Sequence, residues 1–118
     1  RSTELEKIKR KNALSEASKK ANEAPFDVCE RAIKLLRLFK DSLSKINPNA
    51  ITDWTVGAQQ AYSALEGAAM NVKINCKTIL DKRYETEACQ RLRLFLGEGR
   101  SLIGEILNQV HSRLDESN

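Results

Sequence analysis

Residues 53–76 read DWTVGAQQAYSALEGAAMNVKINC, and this stretch decides the fold. Between Trp54 and Cys76 the only charged residues are Glu66 and Lys73. Gly57, Ala58, Ala61, Ala64, Gly67, Ala68 and Ala69 keep the side chains small, so neighbouring helices can approach closely on several sides. A helix that is apolar nearly all round belongs in the interior of a bundle. The sequence therefore predicts a long buried central helix with Asp53 in its first turn, where a carboxylate complements the positive end of the helix dipole. Thr52 or Asn49 is the expected cap.

Upstream, Asn47-Pro48-Asn49 supplies the amides and proline of a tight turn. Before it, Val28, Ala32, Leu35, Phe39, Leu43 and Ile46 recur at three- and four-residue steps, the pattern of an amphipathic helix. Pro25 either kinks a helix continuing from residues 3–23 or sits in the first turn of a new one. The first segment opens with Thr3-x-x-Glu6, a capping box, and carries a thin stripe of Leu5, Ile8, Leu14, Ala17 and Ala21. Downstream, Asp81-Lys82-Arg83 marks a break. Ala88, Leu92, Leu96, Ile103, Ile106, Val110 and Leu114 then line one side of a last helix, which Gly97, Gly99 and Gly104 each weaken relative to Ala. No strand-like alternation occurs. The expected architecture is all-α, an up-down helical bundle of three or four helices, and 118 residues make it a single domain.

Three cysteines, Cys29, Cys76 and Cys89, are an odd number without paired spacing, which suits neither a disulfide framework nor a zinc site. All three fall on apolar stretches, where a thiol behaves as a small hydrophobe, so we expect them reduced and buried in a cytoplasmic protein. No window approaches the roughly 18 apolar residues of a membrane span, and no signal peptide is visible. The chain starts at Arg1, not Met, and we expect sequence upstream of it. Residues 1–50 hold twelve Lys/Arg against seven Asp/Glu, whereas residues 51–118 hold eight against nine. The basic excess lies in Lys7, Lys9, Arg10, Lys11, Lys19 and Lys20. Glu4, Glu6, Glu16 and Glu23 are interleaved with it and no aromatic residue stands there for base stacking, so a solvated helix face is the preferred reading over a nucleic-acid arm.

Polar groups on a buried helix are informative because they are costly there. At about 100° per residue, Asp53, Gln60, Gly67, Asn71 and Thr78 fall within roughly 40° of one another, flanked by Ser63 and Asn75. Asn71 and Asn75 are one turn apart and share a face. Such a stripe either bonds to a neighbouring helix, with Asp53 complementing the dipole, or walls a pocket in which Asp53 is a general acid/base and the asparagines orient a ligand. There is no Gly-rich phosphate loop, no Ser-His-Asp set and no metal-ligand cluster; His111, the one histidine, lies near the end of the last helix and is expected at the surface.

These residues also carry a resemblance. Asn47-Pro48-Asn49-Ala50-Ile51-Thr52-Asp53, Val56-Gly57-Ala58 and Gly67-Ala68-Ala69-Met70-Asn71-Val72-Lys73-Ile74-Asn75 resemble the cyclodeaminase/cyclohydrolase family. Its members include the cyclodeaminase half of formiminotransferase-cyclodeaminase and stand-alone methenyltetrahydrofolate cyclohydrolases. Ala24-Pro25-Phe26 after a basic helix also fits, so the resemblance spans most of the chain. It implies Asp53 as the catalytic acid/base, with Thr52, Asn71 and Asn75 in the substrate site and Lys73, with Lys77, attracting the glutamate tail of a tetrahydrofolate derivative. The implied reaction is closure of 5-formimino onto N10 with loss of ammonia, or hydrolysis of the 5,10-methenyl bridge, with no metal. The family's Pro-Gly-Gly-Gly-Ser motif is missing here, so the chain looks like the C-terminal portion of that domain, whose partners would be the missing N-terminal segment and a homodimer or higher homo-oligomer, not nucleic acid or membrane. Trp54, directly after Asp53, is placed to reshape or block such a pocket. The competing expectation is a non-catalytic helical bundle serving oligomerisation or partner binding.

Overall fold

A computed structural model describes residues 3–116. It contains four α-helices, α1 Glu4–Ala21, α2 Glu23–Ser42, α3 Ile51–Cys76 and α4 Lys82–Glu116, and no strand among the described residues. Short 3-10 turns at Leu43–Lys45 and Pro48–Ala50 join α2 to α3. The all-α bundle expected from the sequence is what forms: α2, α3 and α4 pack on one another around α3.

Helix α1 begins with the anticipated capping box. Glu6 N–H donates to Thr3 Oγ1 at 3.1 Å, and Thr3 N–H donates to Glu6 Oε2 at 3.3 Å. Pro25 lies in the first turn of α2, where its missing N–H costs nothing. Asn22 between the two helices keeps helical dihedrals (φ −74°, ψ −14°), so α1 runs on into α2 with little break. Residues 3–14 are all exposed, and α1 therefore projects past the bundle. The radius of gyration reflects this, at 19.6 Å against roughly 13 Å for a compact domain of this length.

Three sequence expectations are corrected at this level. The face that α1 buries is not its apolar stripe: Leu5, Ile8, Leu14, Ala17 and Ala21 are exposed, while Ser15 and Ser18 are buried. In α2 the core takes Phe26, Cys29, Ile33 and Leu36 together with Ala32, joined by Leu43 just past its end, and leaves Val28 and Leu35 outside. Two apolar stripes run down α2, and the α3–α4 pair covers the one that begins at Phe26, with Phe39 of the other packed at the edge of the core. Finally, α3 starts at Ile51, with Ala50 at its cap and no side-chain capping bond. Asn47 instead caps the preceding 3-10 turn, its Oδ1 accepting from Asn49 N–H at 2.9 Å.

Helix α3 is central but one-sided. Ile51, Ala58, Ala61, Leu65, Ala68, Ala69, Val72 and Cys76 are buried, while Val56, Met70 and Ile74 are 50–61% exposed on the opposite side. Its small residues do serve close packing. A Cβ on Gly57 would stand 2.9 Å from Phe39 Cζ. On α4, a Cβ on Gly99 would stand 2.2 Å from Leu65 Cδ2, so this glycine is needed for helix contact, whereas Gly97 and Gly104 face open space. Cys29 and Cys76 are buried as expected; Cys89 is exposed, at the edge of the α3–α4 packing.

Candidate functional site

The central helix carries different surroundings at its two ends. At the start, Trp54 turns inward: its ring meets Phe39 edge-on with centroids 4.6 Å apart, and its Nε1–H donates to Phe39 O at 3.3 Å. One residue earlier on the helix is about 100° away around the axis, and Asp53 is accordingly exposed, as is Thr52. Trp54 thus pins the end of α2 to the start of α3 and leaves the Asp53 side open.

At the other end lies a polar cluster that joins the α1–α2 junction to the α3–α4 turn. Asn22, with no exposed surface, is its centre. Asn75 Nδ2 donates to Asn22 Oδ1 at 3.0 Å, and Asn22 Nδ2 donates to Tyr84 Oη at 3.2 Å and to Cys76 Sγ at 3.8 Å. Tyr84 O–H donates to Lys19 O at 3.5 Å. Beside it, Thr78 Oγ1 donates to Asn75 O at 3.2 Å and meets Ser18 Oγ at 2.6 Å. Either hydroxyl can be the donor in the Ser18–Thr78 bond. Ser15 Oγ accepts from Leu80 N–H at 2.8 Å.

An ion pair closes the rim of this cluster. Lys19 Nζ lies 2.8 Å from Asp81 Oδ2, and Asp81 Oδ1 caps α4 by accepting from Tyr84 N–H at 3.0 Å. The Lys19 hydrogen bond, with the Tyr84 amide, lowers the Asp81 pKa below its ordinary value, and Asp81 raises that of Lys19. Burial pushes the thiols of Cys29 and Cys76 up, so both are held as neutral, unreactive side chains.

The residues singled out from the sequence therefore divide into three places. Thr52 and Asp53 occupy the first turn of α3. Asn71 and Asn75 share a ledge near its end, Asn71 exposed and Asn75 half-buried against Asn22. Lys73 lies about 200° around the helix from both asparagines, facing α4, where it lines a cleft of about 230 Å³ with Cys89, Leu92, Arg93 and Leu96. Asp53 and Asn75 are separated by roughly 33 Å along one helix. A single one-carbon centre cannot touch both ends within one copy of the chain.

Other concavities hold none of these residues. A groove of about 640 Å³ between the α1–α2 junction and α4 contains Lys19, Lys20, Phe26, Glu30, Tyr84 and Arg91. The Arg91 guanidinium stacks 4.0 Å from the centroid of the Phe26 ring and pairs with Glu30 at 3.2 Å. An apolar cleft of about 200 Å³ separates Val28, Ala32 and Leu35 on α2 from Ala61 and Ala64 on α3. No group of three or more His, Cys, Asp or Glu with metal-site geometry occurs among the described residues. No helix among them is long and apolar enough to cross a membrane. His111 is exposed.

The profile of the Formiminotransferase-cyclodeaminase family matches residues 1–93, a span that contains Asn22, Asp53, Asn71, Asn75 and Tyr84. The chain belongs to this family. It is 30% identical over 115 residues to a methenyltetrahydrofolate cyclohydrolase of Methylorubrum extorquens, covering 98% of this chain and 55% of that protein. It is 34% identical over 117 residues to the formimidoyltransferase-cyclodeaminase of Gallus gallus, covering 96% of this chain and 21% of that one. The chain thus spans about half the length of the first relative and about a fifth of the second. No solved structure matches it. The resemblance read from the Asn-Pro-Asn turn, Thr52-Asp53 and Asn71-Val72-x-x-Asn75 is borne out at the level of family.

Among this family member's polar residues, sequence reading missed Ser15, Ser18, Asn22 and Tyr84. The signal was present: Ser15, Ser18 and Asn22 recur at three- and four-residue steps, which places them on one helix face. The sequence expectation for the first helix rests on its apolar stripe alone.

Proposed function

We propose that this chain contributes to a site for a one-carbon-substituted tetrahydrofolate, in a cyclodeaminase or a methenyltetrahydrofolate cyclohydrolase. Family membership over residues 1–93 carries this reading, since both curated relatives are named for folate one-carbon reactions. The Asn71–Asn75 ledge supports it with two amides on a rigid backbone, held from beneath by buried Asn22. Amides suit an uncharged, hydrogen-bonding heterocycle such as a pterin. Asp53 is the proton acceptor and donor of the proposal. Closure of a formimino group onto N10 and hydrolysis of a methenyl bridge both move protons beside a cationic, amidine-like carbon, for which a carboxylate is suited by charge.

The roughly 33 Å between Asp53 and the ledge gives the proposal its form. The Asp53 end and the Asn75 end serve one folate only if a further segment of the domain or a second copy completes each of them. The chain is then the C-terminal portion of a larger cyclodeaminase-like bundle, located in the cytoplasm, and works as a homo-oligomer without a metal. Lys73 and Lys77 lie on the other side of α3 from the ledge, so in this reading they attract the glutamate tail of a folate bound on their own side of the helix. The exposed apolar side of α3, Val56, Met70 and Ile74, is the surface such a completion would cover.

The test is turnover by the natural full-length protein of 5-formimino- and 5,10-methenyltetrahydrofolate, followed by absorbance. Activity lost by at least a hundredfold in Asp53→Asn, with the fold intact by circular dichroism, is the expected result. Unchanged turnover in that variant removes Asp53 from the chemistry. Complete absence of folate binding favours a second reading, a non-catalytic bundle for oligomerisation or partner binding, to which the exposed α3 face also points.

A further inference from the structure

Four hydrogen-bonding groups in the polar cluster have their directions fixed from one end. The Lys19 carbonyl can only accept and, at a long 3.5 Å, is the acceptor the structure gives the Tyr84 hydroxyl. Tyr84 Oη must then accept from Asn22, which orients the Asn22 amide with Nδ2 towards the ring and Oδ1 towards α3. Cys76 Sγ, 3.8 Å from the same Nδ2, takes the second proton. Asn22 Oδ1, so aimed, needs a donor, and the Asn75 amide supplies its Nδ2 at 3.0 Å. The Asn75 carbonyl oxygen is thereby turned away from the cluster, and no hydrogen bond to it exists among the described residues.

We infer that Asn22 and Tyr84 are positioning residues that hold the Asn75 amide with Oδ1 outward, so that Asn75 accepts a hydrogen bond from an N–H group of the bound folate. This rests on the folate reading above and deepens it: the ledge discriminates by proton direction. A free asparagine offers a donor or an acceptor by a half-turn of its amide, at almost no cost. Here the half-turn would set Asn75 Oδ1 against Asn22 Oδ1, two acceptors in contact, unless the whole series rotates. Burial makes that unfavourable, because Asn22 has no water to fall back on. An N–H edge, such as the amino and ring N–H groups of a pterin, is matched to this oxygen. A ligand presenting a carbonyl or ring nitrogen lone pair at the same place is rejected.

The experiment compares Tyr84→Phe, Asn75→Ala and the double variant in the full-length protein, with KM and kcat measured separately. Tyr84→Phe keeps the ring and removes only the hydroxyl that starts the series. We expect KM to rise roughly tenfold in each single variant, with kcat within about twofold, and no further rise in the double variant, because both changes release the same amide. An unchanged KM in a folded Tyr84→Phe protein overturns the inference while leaving the folate reading intact. Independent, multiplying effects of the two changes overturn it as well, since they place Tyr84 outside the orientation of Asn75. A wild-type protein that neither turns over nor binds either folate defeats the folate reading itself, and the inference with it. The side-chain amide protons of Asn75 give a second readout: their resonances should shift in Tyr84→Phe, and an unshifted pair contradicts the proposed orientation even where KM changes.

Discussion

The two ends of the central helix are secured by different physics. Its start is held chiefly by packing, Trp54 against Phe39 with Ile51 and Leu43 buried nearby, to which Arg113 of α4 adds hydrogen bonds to the carbonyls of Leu43 and Ile46 at 2.7 and 3.0 Å. Its far end is held by hydrogen bonds among Ser15, Ser18, Asn22, Asn75, Thr78 and Tyr84. Apolar packing rewards volume and is indifferent to which way a dipole points. A buried hydrogen-bonded cluster fixes every group's direction and leaves a costly orphan when one member is lost. The first kind of end is suited to holding helices together. The second also presents a defined chemical face to whatever lies outside it.

This contrast is breakable by measurement. Trp54→Ala should have the largest effect, a loss of about 3 kcal/mol in urea-unfolding free energy, because it removes both the aromatic contact and the N–H bond. A loss below 1 kcal/mol would mean that the start of α3 does not depend on that ring. Next in size, Ser15→Ala leaves the Leu80 amide without its acceptor and should cost about 1–2 kcal/mol. Ser15→Thr keeps an acceptor oxygen at this position and should recover part of that; equal losses in both variants would point to packing, not to the hydrogen bond.

The smallest effect is on pH dependence at the polar end. The Asp81 pKa is lowered in the folded chain, so the unfolded state binds the proton more readily. The resulting stabilisation is present above the ordinary carboxylate range near 4 and is lost as pH falls through the lowered native value. Asp81→Asn should flatten that acid limb in thermal melts, and added salt should do the same in the wild type because the pair is near the surface. Lys19, raised by the same pair, contributes below the ordinary lysine value and loses this as pH rises through its higher native one. An acid limb of unchanged steepness in Asp81→Asn would assign acid sensitivity to other carboxylates.

The apolar end was legible in the sequence, and the polar end was not. Gly- and Ala-rich residues 57–69 announced a closely packed helix, and Asn47-Pro48-Asn49 announced the turn before it. Asp53, Asn71 and Asn75 share one face of α3 by angle, but angular agreement says nothing about axial distance. The polar faces of α1 escaped because hydroxyls and amides at helical spacing are as common on solvated surfaces as in clusters. Only the partner helices, here the turn at Thr78–Asp81, distinguish the two. Cys89 was misplaced for the related reason that an apolar neighbourhood in sequence does not specify which side of a 35-residue helix meets the core.

The chain contains one tryptophan, and it stands edge-on to Phe39 at the α2–α3 junction. Its fluorescence is consequently a local reporter. Separation of Trp54 from Phe39 and entry of water there will red-shift the emission, while opening of the Asn22 cluster at the opposite end will leave it unchanged. Far-ultraviolet dichroism, which weights all helical residues, senses both. A melting curve in which the two signals separate would therefore date the release of the polar end relative to the aromatic one, with the protein's own chromophore as the clock.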